Sequence, residues 1–250
     1  MTTEGKHLYD TVFYDQLRAD SLASAHAVVP VLLEMYQPTS VVDFGCGEGA
    51  WLSVFVQRGV TDVFGLDGSY VRRERLLFDQ TKFRPLDLAD VKPLGRVFDL
   101  ALCLEVVEHL HPTSADRLIA ELVQCAPVVL FSAAVPGQGG THHVNEQYLE
   151  YWIQRFQQRG FEPLDLLRPR IAYDHRVTWW YRQNLILFAA PERARRFGEE
   201  HLGPRGEDVR QEWVHVSALF GLLTLKQTLL RIPRATIEAV RHRLRRLLAR

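Results

Sequence analysis

Val41-Val42-Asp43-Phe44-Gly45-Cys46-Gly47-Glu48-Gly49-Ala50-Trp51-Leu52 reads as an apolar strand, a glycine turn and the start of a helix. Glycine at 45, 47 and 49 lets the backbone approach a ligand closely and take φ values that a side chain would forbid. The turn is suited to hold something.

Charge narrows what it holds. Gly45, Gly47 and Ala50 nearly fit the G-x-G-x-x-G/A dinucleotide pattern, in which a pyrophosphate sits on a helix N-terminus. Asp43 and Glu48 would repel a pyrophosphate and attract an ammonium. The D-x-G-x-G-x-G run from Asp43 to Gly49 resembles the first motif of Rossmann-like (class I) methyltransferases. That resemblance implies S-adenosylmethionine, whose amino-acid end is cationic, as cofactor. A dinucleotide and a tight turn with no ligand are the competing readings.

Outward from the turn, Ser40 to Phe44 is the first strand and Ala50 to Arg58 the first helix, ended by Gly59. Asp62 to Leu66 forms a second strand running into Asp67-Gly68. About twenty residues beyond the glycines of a βαβ unit, an acidic side chain accepts hydrogen bonds from ribose hydroxyls. Asp67 is the expected ribose ligand. Thr81 to Pro85 is a third strand, and the resemblance implies that Asp87 meets the adenine amino group with Leu88 beside the ring; Asp90 competes for that role. Val97 to Leu104 is nearly all apolar, as in a parallel strand buried on both faces. The cofactor set expected from the sequence is Asp43, Gly45, Gly47, Asp67, Gly68, Asp87, Leu88 and Leu104.

A helix near Ser114 to Cys125, a fifth strand over Pro127 to Ala134 and a helix through Arg159 follow. Phe161 to Leu167 and Trp179 to Ala190 are expected as the last two strands, an antiparallel pair at the sheet edge, which is how the class I fold ends. The expected fold is an α/β Rossmann-like seven-stranded, mostly parallel sheet with helices on both faces and a C-terminal helical appendage. Residues 1–37 are expected as an N-terminal helical cap with an aromatic cluster at Tyr9, Phe13 and Tyr14, and 38–190 as the methyltransferase domain. Residues 191–250 are expected as a linker over 192–209 and basic amphipathic helices.

The chemistry is expected where the fourth strand ends, in Glu105-Val106-Val107-Glu108-His109. Side chains three and four apart share a face, so two carboxylates and an imidazole could hold a cation, joined by His143 from the loop after the fifth strand. E-x-x-E-H with a later histidine resembles the metal-binding arrangement of small-RNA 2′-O-methyltransferases, and a related motif occurs in ubiquinone-biosynthesis O-methyltransferases. Carried over, the ligands are Glu105, Glu108, His109 and His143. Oxygen and nitrogen donors without thiolate suit Mg²⁺ or Mn²⁺, and are compatible with Zn²⁺. Many metal-free methyltransferases also carry E-x-x-E-H, and there Glu108 and His109 only buttress the loop. Without a metal, His143 or His142 is the expected general base.

Gly139 to Gln147 and Trp179 to Asn184 also look like bacterial methyltransferases of sugar, polysaccharide and secondary-metabolite modification. The expected reaction is therefore O-methylation of a saccharide or secondary metabolite. RNA 2′-O-methylation is the alternative enzyme, and a cofactor-binding scaffold tethered by its C-terminal helix the alternative without catalysis.

Composition sets bounds. The 250 residues carry no net charge, but eight Lys/Arg and one Glu fall between Lys226 and Arg250, which leaves −7 on the rest. Nucleic acid is not expected as a partner, for want of a basic stripe or RNA module outside the tail. The tail, 209–250, is expected to mediate peripheral membrane contact or self-association. Cys46, Cys103 and Cys125 lack C-x-x-C spacing, which suits a reducing cytosol, and the N-terminal residues lack a signal-peptide pattern. A cytoplasmic protein is expected, in some contexts peripheral to the inner membrane face.

Overall fold

The strand before the glycine turn lies at the centre of a seven-stranded sheet. The computed structural model describes residues 3–201, with side chains from Arg18 onward. In chain order the elements are α1 (Thr3–Met35), β1 (Ser40–Phe44), α2 (Ala50–Gln57), β2 (Asp62–Asp67), β3 (Phe83–Pro85), β4 (Leu100–Leu104) and α3 (Pro112–Cys125). They continue with β5 (Val128–Ser132), α4 (Leu149–Gln157), β6 (Glu162–Leu164), α5 (Arg168–Ile171), α6 (Trp179–Asn184), β7 (Ile186–Ala189) and α7 (Pro191–His201). The spatial order is β3-β2-β1-β4-β5-β7-β6, and only β7 runs antiparallel to its neighbours.

Alternation along each strand splits the core in two, because successive side chains point to opposite faces. Val41, Leu100, Leu102, Val128 and Leu130 pack under α1 and α2 against Val28, Leu32, Leu52 and Phe55. Val42, Ala101, Cys103, Val129 and Phe131 pack on the other face against Leu118, Leu122, Trp152 and Phe156 of α3 and α4. Both faces are covered, so β1, β4, β5 and β7 are buried at every residue and show no polar alternation in sequence.

From β1 the chain first builds outward through β2 and β3, then returns to place β4 on the other side of β1. Such a switch opens a crevice at the carboxyl ends of the two strands. The glycine turn follows β1 there, and Glu105 follows β4.

Two expectations need correction. Trp179 to Ala190 is not one strand: Trp179–Asn184 is helical and only Ile186–Ala189 is strand. The aromatic run favours a strand by propensity, but Tyr181 is buried edge-on against Trp51 of α2, and that contact fixes a helical turn. Likewise, Pro191–His201 is a helix where a linker was expected. Ala194 and Phe197, three apart, bury one face, and Phe197 meets Tyr36 at 5.7 Å between ring centres. The aromatic cluster at 9–14 and the basic tail lie outside the residues whose side chains are described.

Candidate functional site

The first half of the crevice is the glycine turn. Gly45 has φ +85°, and a Cβ there would lie 2.3 Å from Val106 Cγ2, so the turn packs against the segment after β4 only with glycine at 45. Gly47 differs: its φ is +53°, yet nothing lies within 4 Å of where its Cβ would be. Its missing side chain opens onto the crevice, as a close-lying ligand requires.

Asp67, at the end of β2, is 5% exposed. Its Oδ2 accepts from Gly47 N–H at 2.7 Å; Oδ1 accepts from Gly68 N–H at 2.6 Å and from the Tyr70 hydroxyl. Asp43 is 2% exposed, and burial, followed by the neighbouring Asp67 charge, pushes its carboxyl up to about 8. Asp87 is exposed and caps a short turn through Ala89 N–H, with Leu88 buried beside it. Leu104 is buried as the last residue of β4. The expected cofactor residues from β1 and β2 thus meet at one crevice, and the open face of Gly47 fits a bound S-adenosyl group.

Glu48 does not play the part its charge suggested. Arg75 Nε lies 2.6 Å from one carboxylate oxygen and Arg18 of α1 lies 3.2 Å from the other. Its charge is spent on two guanidinium groups, one from α1 and one from the segment after β2, leaving Asp43 and Asp67 as the acidic groups of the crevice.

The second half follows β4. Glu105 takes φ +55°, a left-handed conformation unusual for a residue with a side chain. Its carboxylate turns toward two amides: Gln138 Nε2 donates at 2.8 Å and Asn184 Nδ2 at 3.3 Å. Asn184 Nδ2 also donates to Gln138 Oε1 at 2.9 Å, and Gln183 Nε2 donates to Asn184 Oδ1 at 2.9 Å. Burial raises the Glu105 carboxyl, and these bonds act against the shift.

Glu108 lies in a short 3-10 turn, Val107–His109, and is fully buried. Its Oε1 accepts from Ala134 N–H at 3.1 Å and its main-chain carbonyl accepts from Val144 and Asn145 N–H. Oε2 has no hydrogen-bond partner among the described residues. Burial pushes this carboxyl well above its usual range, and the Glu105 charge adds to the effect. An orphaned buried oxygen of this kind calls for a proton or a cation.

The histidines converge on it. His109 and His143 meet edge to face, 4.7 Å between ring centres. One ligand atom from each of Glu108, His109 and His143 falls within 4.8 Å of the others. Burial lowers the His109 pKa, and the adjacent His143 lowers it further. His142 takes φ +63° and stays exposed; its carbonyl bonds the His109 ring. Of the four expected ligands Glu108, His109 and His143 offer atoms to one point, while Glu105, whose carboxyl lies beside that of Glu108, bonds the two amides. A carboxylate with two imidazoles suits Mn²⁺ or Zn²⁺ better than Mg²⁺, which prefers all-oxygen surroundings.

Sequence reasoning missed Glu146. Its carboxylate lies 2.8 Å from His143 Nδ1 and accepts from Gly137 and Gly139 N–H at 2.7 and 3.1 Å. The signal was its place three residues after His143. Gln138 and Asn184 carried none, since each matters only through a partner distant in sequence.

Residues 20–167 match the methyltransferase domain family. The chain belongs to the class I S-adenosylmethionine-dependent methyltransferases. No curated protein matches it. Among solved structures it is similar to the sugar N-methyltransferase KedS8 from Streptoalloteichus sp., at 19% identity and TM-score 0.56, over 73% of this chain and 92% of that one. It is also similar to magnesium protoporphyrin IX methyltransferase from Synechocystis with bound S-adenosylhomocysteine, at 17% identity and TM-score 0.51, over 75% and 95%. At such identities the likeness is one of fold.

Proposed function

We propose that the chain transfers the methyl group of S-adenosylmethionine to a hydroxyl of a saccharide or secondary-metabolite acceptor held against Glu108, His109 and His143. The observation that carries this reading is the meeting of these three side chains, one with an unpartnered buried oxygen, at the carboxyl end of β4.

Asp67 is assigned the ribose and Gly47 the close approach, which the bond between them supports. Asp43 lies deepest and faces the amino-acid end. Asp87 and Leu88 are assigned the adenine. These contacts fix the donor so that its methyl faces the acceptor, and alignment of the two accounts for most of the acceleration. When bound, a divalent cation at Glu108, His109 and His143 would lower the acceptor hydroxyl's pKa. One observation favours a route through His143 alone: its Nδ1 is taken by Glu146, which leaves Nε2 to accept the hydroxyl proton. Residues 1–37 are assigned as a cap, with the Arg18 to Glu48 ion pair in support. Among the described residues, no helix is long and apolar enough to cross a membrane.

Turnover of saccharide and phenolic acceptors, assayed with chelator and again after adding Mn²⁺, tests the reading. Loss with chelator and recovery with Mn²⁺ supports the cation; turnover that survives chelator but not His143→Ala supports the base. Turnover that survives both places the chemistry elsewhere.

A further inference from the structure

The loop between β5 and α4 holds three glycines, two histidines and one carboxylate that ties them together. We infer that Glu146 is the positioning residue for His143: it fixes the ring's tautomer and direction, so that Nε2 is the nitrogen left for the acceptor site. The inference rests on the reading of His143 as a site residue and adds the group that makes it competent.

Three donors converge on one side chain. Gly137 N–H, Gly139 N–H and His143 Nδ1 reach Glu146 at 2.7, 3.1 and 2.8 Å, from nine, seven and three residues away. A carboxylate accepts only, so Nδ1 carries a proton, and in the neutral ring Nε2 then holds the lone pair. Glu146 is partly buried, which costs the charged form, but the bonds from His143 and the two glycines hold it below the usual carboxylate range.

The rest of the loop acts on the same ring. A Cβ at Gly140 would lie 2.2 Å from His143 Nε2, so the ring lies this close to the loop backbone only because residue 140 has no side chain. His109 stands edge-on to the ring, and the Glu108 carbonyl takes the N–H groups of Val144 and Asn145, just past the histidine. The ring is thus held from Nδ1, from its face and from the backbone that follows. A carboxylate on the far nitrogen of a liganding imidazole sets its orientation and basicity, and its loss commonly costs 10–100-fold in metal affinity. A staple that only closed the loop would bond the two glycines and leave His143 indifferent.

The test uses the full chain with ring-¹⁵N histidine, in long-range ¹H–¹⁵N spectra at a pH where imidazoles are neutral. The His143 signals are identified by their loss in His143→Asn. The wild type should show the Nδ1–H tautomer. Glu146→Leu, which offers no acceptor, should move His143 toward Nε2–H, the form free imidazole prefers, and Glu146→Asp should keep Nδ1–H. A wild-type ring in the Nε2–H form, or a Glu146→Leu ring unchanged from wild type, overturns the inference. Mn²⁺ titration followed by electron paramagnetic resonance separates it from the parent reading. Binding by wild type that weakens about 10–100-fold in Glu146→Leu supports both. If wild type binds no Mn²⁺ while the tautomer result holds, the cation reading falls and the assignment of Glu146 stands.

Discussion

The Asp67 carboxylate accepts a hydrogen bond at 2.7 Å from the backbone N–H of Gly47, twenty residues earlier in the chain. One side chain at the end of β2 thereby fixes the glycine turn that follows β1.

Removing it should cost cofactor binding. A hydrogen bond to a charged acceptor contributes about 1.5–3 kcal/mol, so Asp67→Ala is expected to raise the dissociation constant for S-adenosylmethionine by roughly 10- to 150-fold. Isothermal titration reads this directly, and an unchanged constant would refute the ribose assignment.

Asp43 predicts how stability depends on pH. Its carboxyl stands at about 8 in the folded chain, against about 3.9 when unfolded. Between these values the folded state keeps a proton that the unfolded state has released. Stability is therefore full below the lower value, falls as pH rises through the interval, and levels off above the upper one. Asp43→Asn stays neutral and should escape the fall. The gap in melting temperature between variant and wild type is expected to widen from pH 5 to pH 9, at about 2–4 °C for each kcal/mol. Calorimetry on the ligand-free protein checks the trend, and a constant gap would contradict it.

Gly140→Ala should uncouple activity from folding. The new methyl would press on His143 Nε2, and a displacement of about 1 Å in a reacting group can cost on the order of 10²-fold. The expected result is a fall in kcat of that size with a melting temperature within about 2 °C of wild type. Full turnover in the variant would mean that His143 is not at the reacting centre.

Glu48→Gln should loosen α1 without unfolding the domain. The two ion pairs are partly exposed, with the Arg18 side chain 37% and the Arg75 side chain 19% accessible. Screening by solvent limits such pairs to about 1 kcal/mol or less. A small drop in melting temperature is expected, with faster amide exchange confined to the α1 turns around Arg18. Exchange that does not change there would show that the hydrophobic contacts of α1 hold it unaided.

Much of the fold was legible because it is written in short-range patterns. The apolar runs Ser40 to Phe44, Val97 to Leu104 and Pro127 to Ala134, read as strands, contain β1, β4 and β5, and the glycines at 45, 47 and 49 and Asp67 fall at the turn and the strand end as read. Trp179 to Asn184 misled because its local preference is for strand, and burial of Tyr181 against α1 and α2 overrides it. Glu192 onward misled for the opposite reason: a charged stretch with two apolar residues looks like a linker until Phe197 meets Tyr36.

The sequence by itself determined a doubly covered, mostly parallel sheet, an acidic glycine turn and a cluster of carboxylates and imidazoles after the fourth strand. These follow from residue types a few positions apart, and local sterics and periodicity suffice to read them. Only the tertiary structure decided which way each acidic side chain faces. Glu48 goes to two arginines, Glu105 to an amide 79 residues away, and Glu108 to the backbone N–H of Ala134. A buried charge takes the partner that the fold brings within hydrogen-bonding distance, and that partner is not encoded beside it in the chain.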